Sequence, residues 1–232
     1  APAGSTAESL LLDLASLDSV RQAADSFLES ERSLSVCVLN AGIMALPWHR
    51  TEDGFEQQWQ VNVLAHFLLC RTLLPTMNDG AGRVVHLSSR AHRRHPEPID
   101  YQRLSQEHLS DQHYDRWLAY GRSKLANILF SNELARRLDE RGVAITSNAV
   151  HPGLVATQLL TNAGGSLGRG VPVAETIPGG SVRGERANFT RLVLGCIEAD
   201  FCNQILIFQH FSRSTRFAIL RTAQISKFQQ IL

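Results

Sequence analysis

Tyr120 and Lys124 stand four residues apart in a chain that has only three tyrosines and two lysines. Residues four apart lie one turn apart on the same face of a helix, so the phenol and the ammonium can converge on one ligand. A free tyrosine has a pKa of about 10, but a cation within about 4 to 6 Å favours its phenolate. The pair therefore indicates general acid/base chemistry, although a helix with a surface tyrosine and lysine would have the same spacing.

The segment that carries this pair is predicted to be one long helix, from Asp115 to Arg141. It lacks proline, and its leucine and isoleucine residues recur at roughly helical spacing. Arg136, Arg137 and Arg141 would form a cationic last turn, and Gly142 provides the left-handed cap expected where a helix ends.

Three short apolar runs predict buried parallel strands, at residues 35–39, 83–87 and 144–150. Helical patterns separate them, one from Glu52 to Met77 and the other from Asp115 to Arg141. Each run ends in small or polar residues, which are 40–42, 88–89 and 151–153. The predicted fold is therefore α/β with a doubly wound parallel sheet. In such sheets ligands bind at the carboxyl ends of the strands, where these polar clusters fall.

Taken together, these pieces resemble the short-chain dehydrogenase/reductase family. In family order they are Asp13-Leu14, Asn40-Ala41-Gly42, Val61-Asn62-Val63, Ser88-Ser89, Tyr120-Gly-Arg-Ser-Lys124 and His151-Pro-Gly-Leu-Val-Ala-Thr157. They cover roughly residues 9 to 160. Segments such as 45–48 and 147–153 are most similar to the retinol dehydrogenase branch and to the oxidoreductase domain of WW-domain-containing oxidoreductase. The resemblance implies a Rossmann-like sheet and an NAD(P)-dependent oxidoreductase.

The resemblance also implies a catalytic role for four residues. Ser89 would hydrogen-bond the substrate carbonyl oxygen, and Tyr120 would exchange its proton. Lys124 would hold the nicotinamide ribose hydroxyls and lower the pKa of Tyr120. Asn62 would help to anchor a proton-relay water near Lys124.

A second set of residues would bind the cofactor, NADP or NAD, with NADP slightly favoured. Asn40, Ala41 and Gly42 would pass close to its ribose, and Asp13 would hydrogen-bond the adenine amino group. The residues implied on the nicotinamide and pyrophosphate side are Pro152, Gly153, Val155 and Thr157.

Each of these residues also has a structural interpretation. Residues 40–42 and Pro152-Gly153 could be ordinary strand-ending turns, and Ser88-Ser89 could cap a helix or form a turn. Asn62 could be a satisfied mid-helix polar residue, and Asp13 could begin an N-capped helix.

Other chemistries fit the sequence less well. The nine histidines show no metal-ligand spacing with cysteines, so no metal site is predicted. The cysteines at 37, 70, 196 and 202 contain no Cys-x-x-Cys and indicate reduced thiols. The basic cluster 90–95 is interpreted as a solvated loop, so no nucleic-acid partner is predicted.

Composition is typical of a soluble domain. The chain has 232 residues, 44% of them hydrophobic, and a net charge of +1. It contains no apolar run of about 18 residues and no signal-peptide pattern near the start of the sequence. We therefore expect no membrane span and a cytoplasmic location, although a family anchor or targeting segment would precede residue 1.

Both ends depart from the family pattern. The glycine-rich turn that receives the pyrophosphate is not found, so the first two strands and helices of the fold are predicted to be missing. The strand at 8–12 would then lack its neighbours, and the strand at 35–39 would have an exposed edge. We predict an incomplete Rossmann-like domain at 1–160, a glycine-rich flexible segment at 161–186, where the family has a substrate lid, and a divergent segment at 187–232. Within the last, residues 201–211 could form a strand or a helix. A truncated gene model, an alternative transcript or a partial sequence would explain both departures.

Two functions remain open at this stage. The first is an oxidoreductase that interconverts a carbonyl and an alcohol on a lipophilic small molecule such as a retinoid or a steroid. The second is a truncated, non-catalytic homologue that acts as a binding or regulatory protein. The family's dimer helices, near 55–77 and 115–140, are both present, so a homodimer is possible in either case.

Overall fold

A computed structural model of the chain describes residues 6–77, 82–94, 98–152, 204–211 and 214–222. These residues form one six-stranded sheet with the strand order β1-β6-β5-β2-β3-β4. The strands are β1 Thr6–Leu12, β2 Val36–Leu39, β3 Arg83–Leu87, β4 Thr146–Val150, β5 Gln204–Phe211 and β6 Ser214–Thr222.

The same described residues contain five α-helices: α1 Leu17–Glu29, α2 Gln57–Trp59, α3 Ala65–Leu73, α4 Tyr101–Glu107 and α5 Arg116–Glu140. A π-helical segment, Gln60–Leu64, joins α2 to α3. Two 3-10 helices are Leu74–Thr76 and Arg90–Arg94.

The long helix α5 confirms the sequence prediction almost to the residue. Asp115 is its N-cap, and the carboxylate accepts hydrogen bonds from the backbone N–H groups of Trp117 (2.8 Å) and Leu118 (3.1 Å). Past its C-terminus, Gly142 has a φ of +68°, the left-handed conformation that glycine adopts without strain. Helix α5 is therefore bounded at both ends by its own sequence.

The helix predicted from Glu52 begins later, at Gln57. Residues 51–55 form a turn instead, in which Gly54 has a φ of +88° and donates its N–H to the carbonyl of Thr51 at 3.0 Å. Glu56 then caps α2 by accepting from two backbone N–H groups, those of Gln58 and Trp59. A left-handed glycine cannot continue a right-handed helix, which explains the difference.

The predicted parallel strands are confirmed, and they lie side by side. β2 pairs with β3 in parallel from Val36↔Arg83 to Leu39↔His86, and β3 pairs with β4 from Arg83↔Thr146 to Leu87↔Val150. The strand predicted to begin at Ala144 begins two residues later. Because the three strands are parallel, their carboxyl ends meet at one edge of the sheet. The polar clusters that follow β2 and β3 are therefore brought together.

The expectation that β1 lacks neighbours and that β2 has an exposed edge is wrong. β5 pairs antiparallel with β2 and β6 pairs parallel with β1, so the hairpin β5–β6 fills the sheet between them. The ambiguity over residues 201–211 is resolved in favour of a strand at Gln204–Phe211. An unpaired row of backbone N–H and C=O groups is costly where a neighbouring strand can satisfy it, which accounts for this arrangement.

The main core lies between the sheet and helices α1, α3 and α5. Its fully buried side chains include Leu12, Val20, Leu39, Leu69, Leu73 and Val84. Helix α1 packs on α3 through Phe27 and its neighbours. None of the helices within the described ranges is long and apolar enough to cross a membrane. The predicted division at residues 160 and 186 falls outside the described residues and stays a prediction.

Candidate active site

Helix α5 is fastened to the carboxyl end of β3 by three hydrogen bonds. The Lys124 ammonium and the Asn127 amide both donate to the carbonyl oxygen of Leu87, at 3.0 and 3.2 Å. The Ser88 hydroxyl donates in return to the backbone carbonyl of Lys124 at 2.8 Å. These contacts are buried, and they fix the height of α5 against the sheet edge where the ligand is expected.

Tyr120 and Lys124 lie on the same face of α5, as their spacing predicts. The Lys124 ammonium is 5.7 Å from the centroid of the Tyr120 ring, and both side chains are at most 5% exposed. Tyr120 packs against Met44 and Ala45, which follow β2, and against Trp117, one turn earlier on α5. The Lys124 ammonium is thus a buried positive charge close to the Tyr120 ring.

Asn62 joins the loop after β2 to helix α5. Its amide oxygen accepts from the N–H of Ile43 at 2.9 Å, and its amide nitrogen donates to the carbonyl of Ile43 at 2.9 Å and to the Ser123 hydroxyl at 3.0 Å. The Ser123 hydroxyl donates to the carbonyl of Tyr120 at 2.8 Å. Asn62 lies in the π-helical segment, a geometry that often marks functional positions in helices.

Gly42 lies against both of these groups. A Cβ at this position would be 3.0 Å from the Asn62 amide oxygen and 3.4 Å from the Lys124 ammonium. Any larger residue would therefore fill the space beside the ammonium. Asn40, partly exposed, and Ala41, buried, directly follow the last residue of β2, Leu39, so the cluster lies at the carboxyl end of this strand.

Ser89 directly precedes the 3-10 helix Arg90–Arg94. Its hydroxyl accepts from the N–H of Ala91 at 3.2 Å, and its carbonyl accepts from the N–H of His92 at 3.1 Å. The basic cluster interpreted as a loop is thus largely helical, with all its described residues partly or fully exposed. This short helix packs closely on α5, because a Cβ on Gly121 would lie only 2.6 Å from the Ala91 carbonyl oxygen.

Of the remaining residues predicted to bind the cofactor, the structure describes two, Asp13 and Pro152. Asp13, directly after β1, is partly buried and accepts from the N–H of Ala15 at 2.8 Å, while Ser16 caps α1. Pro152 is partly exposed beyond β4. Gly153, Val155 and Thr157 lie outside the described residues. All the assigned roles stay predictions.

Two histidines are buried close to the site. Burial, and after it the positive charge of the nearby Lys124 ammonium, lower the pKa of His66 to about 3. Burial also lowers the pKa of His86 to about 4. Both rings are therefore neutral at pH 7, and His86 packs edge-on against Phe130 with ring centroids 4.7 Å apart.

A buried ion pair supports the N-terminal half of α5. Arg122, 1% exposed, pairs with Glu107 at the end of α4, and Glu107 also accepts from Arg103 at 3.1 Å. The backbone carbonyl of Glu107 accepts from the indole N–H of Trp48 at 2.7 Å. Helix α4 is thereby held against α5 and against the loop after β2.

A second buried network surrounds Glu56. Its carboxylate accepts from the Tyr114 hydroxyl at 2.8 Å, and burial raises the pKa of both groups. Gln58 donates to the same Tyr114 hydroxyl at 2.6 Å and accepts from the N–H of Ala45 at 2.7 Å. Ala45 has a φ of +52°, so this bond holds a strained residue in contact with Tyr120.

Several residues that build the site were not among those predicted to function there. Asn127 follows Lys124 by three positions, so helical spacing could have placed it on the same face. Gln58 has no such signal, because its partners are distant in sequence. Within the described residues, no three histidine, cysteine, aspartate or glutamate side chains could hold a metal ion. Burial raises the pKa of Cys37, and that of Cys70 to about 12.

Comparison with known proteins agrees with this geometry. A family model described as short chain dehydrogenase matches residues 2–98. Short-chain dehydrogenase TIC 32 A, chloroplastic, of Brassica napus is 43% identical over 163 residues, which are 67% of this chain and 49% of that protein. Retinol dehydrogenase 14 of Mus musculus is 46% identical over 150 residues, covering 64% of this chain and 42% of its own.

Two further relatives extend the comparison. WW domain-containing oxidoreductase of Homo sapiens is 48% identical over 149 residues, 63% of this chain and 36% of that protein. A crystal structure of a putative uncharacterized protein from Mycobacterium Paratuberculosis has 45% identity and a TM-score of 0.54, covering 66% of this chain and 52% of the other. The chain spans at most about half the length of these curated relatives.

The parallel strands β2, β3 and β4, the helix that carries Tyr120 and Lys124, and these similarities define a Rossmann-like α/β protein. The chain belongs to the short-chain dehydrogenase/reductase superfamily.

Proposed function

We propose that the chain is an NAD(P)-dependent oxidoreductase that interconverts a carbonyl and an alcohol on a lipophilic small molecule. The observation that carries the proposal is the buried pair of Tyr120 and Lys124 at the carboxyl edge of the sheet. An ammonium and a phenol both buried on one helix face are costly to maintain unless their interaction is used.

Proton transfer would be the work of Tyr120. In alcohol oxidation its phenolate accepts the hydroxyl proton, and in carbonyl reduction its hydroxyl returns a proton to the developing alkoxide. Ser89, at the end of β3, would donate a hydrogen bond to the same oxygen. Lys124, fixed by the Leu87 carbonyl at 3.0 Å, would hold a positive charge beside the phenolate.

Asn62 would position these groups without reacting itself. It locks the loop after β2 to α5 through Ile43 and Ser123, and the Ser123 hydroxyl binds the carbonyl of Tyr120. Two of its amide contacts are to backbone atoms, so it holds the main chain in place. We expect Asn62 to preserve the relative position of Gly42 and Lys124 when a ligand binds to the ammonium.

The residues beside Lys124 fit a nicotinamide ribose. Gly42 lets the backbone after β2 pass close to the Lys124 ammonium, because a Cβ there would lie only 3.4 Å from it, and an ammonium is a donor suited to ribose hydroxyls. The nicotinamide would exchange a hydride with the substrate carbon when bound. Asp13 would reach the adenine amino group. Of the two cofactors, NADP is the one we propose, as the family resemblance implies.

Cofactor titration tests the proposal. Purified chain is titrated with NADPH and with NADH, and binding is followed by the fluorescence of the reduced nicotinamide. The expected result is saturable micromolar binding, with turnover of an aliphatic aldehyde that is lost in Tyr120→Phe while binding persists. A folded chain that binds neither cofactor would contradict it.

A second candidate function is a non-catalytic binding or regulatory protein. The observation that favours it is the hairpin β5–β6, which lies between β1 and β2, where the resemblance places the family's first two strands. Those strands carry the family's phosphate-binding turn. The titration separates the two functions, because this candidate predicts a folded chain with no measurable affinity for either cofactor.

We also propose a homodimer through the helices near 55–77 and 115–140. Phe67 on α3 and Leu129 on α5 are 44% and 48% exposed, and Phe67 packs on Phe130 with ring centroids 5.2 Å apart. Exposed apolar side chains on two helices that contact each other are typical of an interface. Sedimentation analysis should show a dimer for the unaltered chain and a monomer for Phe67→Arg. The cytoplasmic location stays a prediction.

A further inference from the structure

Gln58, in helix α2, is a buried glutamine whose side-chain amide joins three separate parts of the chain. It is 1% exposed. Its amide oxygen accepts from the backbone N–H of Ala45 at 2.7 Å. Its amide nitrogen donates to the Tyr114 hydroxyl at 2.6 Å and to the backbone carbonyl of Arg116 at 3.1 Å. These partners belong to the loop after β2, to the segment before α5 and to the first turn of α5.

The bond to Ala45 acts on one side of the Tyr120 ring. Ala45 has a φ of +52°, a left-handed conformation that a residue with a Cβ keeps only where its surroundings hold it. The N–H that Gln58 binds belongs to the peptide group between Met44 and Ala45, and both of these residues pack against Tyr120. The bond therefore fixes the peptide group that carries two of the contacts of the ring.

The bond to Arg116 acts on the helix that carries the ring. Arg116 is the first residue of α5 and lies about one turn before Tyr120. Gln58 is itself held firmly, because the Glu56 carboxylate accepts from its backbone N–H at 2.7 Å and from the Tyr114 hydroxyl at 2.8 Å. One side chain thus holds both the helix that carries Tyr120 and the loop that packs on it.

Gln60, two positions later, shows that burial of a glutamine does not by itself produce this link. It is fully buried, at 0% exposed, and it is also hydrogen-bonded at both ends of its amide. It accepts from the Thr51 hydroxyl and donates to the Asp53 carboxylate at 2.6 Å. Its side chain therefore bonds within the turn at residues 51–55, whereas the side chain of Gln58 bonds to the surroundings of Tyr120.

We propose that Gln58 is a positioning residue for Tyr120, which acts by binding the backbone of Ala45 and of Arg116 at the same time. Its consequence for catalysis rests on the proposed function, since a misplacement of about 1 Å at a reacting group slows a reaction about a hundredfold. The position of the Tyr120 ring itself does not depend on turnover, so it can be measured separately.

The first test is an NMR measurement on the full chain, labelled with ¹³C at the Cζ atom of tyrosine. The chain has three tyrosines, and the resonance of Tyr120 is assigned by its loss in Tyr120→Phe. Gln58→Met replaces the amide by a thioether of similar length, and we expect the Tyr120 resonance to shift or broaden. Gln58→Glu retains an acceptor for the N–H of Ala45 and should restore the original resonance.

The matched control is Gln60→Met, which makes the same substitution at the other buried glutamine and should leave the Tyr120 resonance in place. Tyr114→Phe is a milder variant that serves where Gln58→Met does not fold, because it removes only one partner of the Gln58 amide. It should change the Tyr120 resonance in the same direction and by less. An unchanged Tyr120 resonance in the folded variants, or an equal change in Gln60→Met, overturns the proposal.

The second test joins this position to the chemistry. Single-turnover reduction of an aliphatic aldehyde by NADPH should be about 10- to 100-fold slower in Gln58→Met, with the affinity for NADPH unchanged, and Gln58→Glu should recover most of the rate. A Tyr120 resonance that moves in a chain without turnover supports the positioning role and rejects the oxidoreductase. Turnover that is undiminished in Gln58→Met overturns the positioning role and leaves the oxidoreductase standing.

Discussion

The two buried histidines predict that acid destabilises this fold over a defined pH range. His66 and His86 are each 1% exposed, and the Nε2 atom of each ring has no hydrogen-bond partner among the described residues. Burial is the largest cause of both lowered pKa values, which are about 3 for His66 and about 4 for His86. Folding therefore keeps both rings neutral.

The direction of the effect follows from proton binding. In the unfolded chain a histidine has a pKa of about 6.5, so below that pH the unfolded state binds more protons than the native state. The free energy of unfolding then falls as pH falls, down to about pH 4 for His86 and about pH 3 for His66. At pH 5 each histidine costs about 2 kcal/mol relative to pH 8, from 1.5 pH units at about 1.4 kcal/mol each.

His86→Leu tests this magnitude. Leucine has a similar volume, can pack on Phe130 and does not titrate, so the substitution removes one of the two contributions. Between pH 8 and pH 5 the variant should lose about 2 kcal/mol less free energy of unfolding than the unaltered chain. Urea unfolding at pH 8, 6.5 and 5, followed by tryptophan fluorescence, measures the difference.

The matched control is His49→Leu, which replaces an exposed histidine. It leaves both buried rings in place, so its loss of stability in acid should follow that of the unaltered chain. If His86→Leu and the unaltered chain lose the same free energy between pH 8 and pH 5, the reasoning is refuted. The absolute stability of the variant at pH 8 does not enter this comparison.

Three other predictions concern the scaffold. Gly121→Ala should lower the free energy of unfolding, measured with urea, by about 1 to 3 kcal/mol, because its Cβ would lie 2.6 Å from the Ala91 carbonyl oxygen. At an ordinary helical site this substitution raises stability, so a gain here would contradict the close packing of Gly121 on Ala91. Glu107→Gln should cost about 3 to 5 kcal/mol in the same assay, because it leaves the buried Arg122 charge unpaired, and an unchanged urea midpoint would contradict the burial of the pair. Ile207→Pro should make the chain sensitive to limited proteolysis, because proline interrupts β5 between its two neighbours, and unaltered resistance would contradict the strand order.

The parts of the fold that could be predicted are those with a local pattern in the sequence. The strand at 83–87 and both ends of helix α5 were predicted to within a residue, because the helical period, the absence of proline and the terminating Gly142 all agree there. The start of α2 was missed, since the left-handed turn at Gly54 interrupts a segment whose apolar pattern runs through it.

What sequence could not show was long-range pairing. Residues 204–211 have no periodicity that distinguishes strand from helix, and nothing local indicates that their partner is β2, more than 160 positions earlier. Contacts between residues distant in sequence were also missed in the candidate active site. Tyr120 and Lys124 are four apart and were found by spacing, whereas Gln58 and Ile43 reach it only through the tertiary fold.

The most direct test of the central claim is whether hydride transfer from the nicotinamide depends on Tyr120 and Lys124. Single-turnover oxidation of NADPH by an aliphatic aldehyde is measured for the unaltered chain, Tyr120→Phe and Lys124→Met. The account predicts that Tyr120→Phe binds NADPH normally and transfers hydride at least about a hundredfold more slowly, the typical contribution of a general acid. It also predicts that Lys124→Met binds NADPH more weakly. Equal single-turnover rates in Tyr120→Phe and the unaltered chain would contradict it.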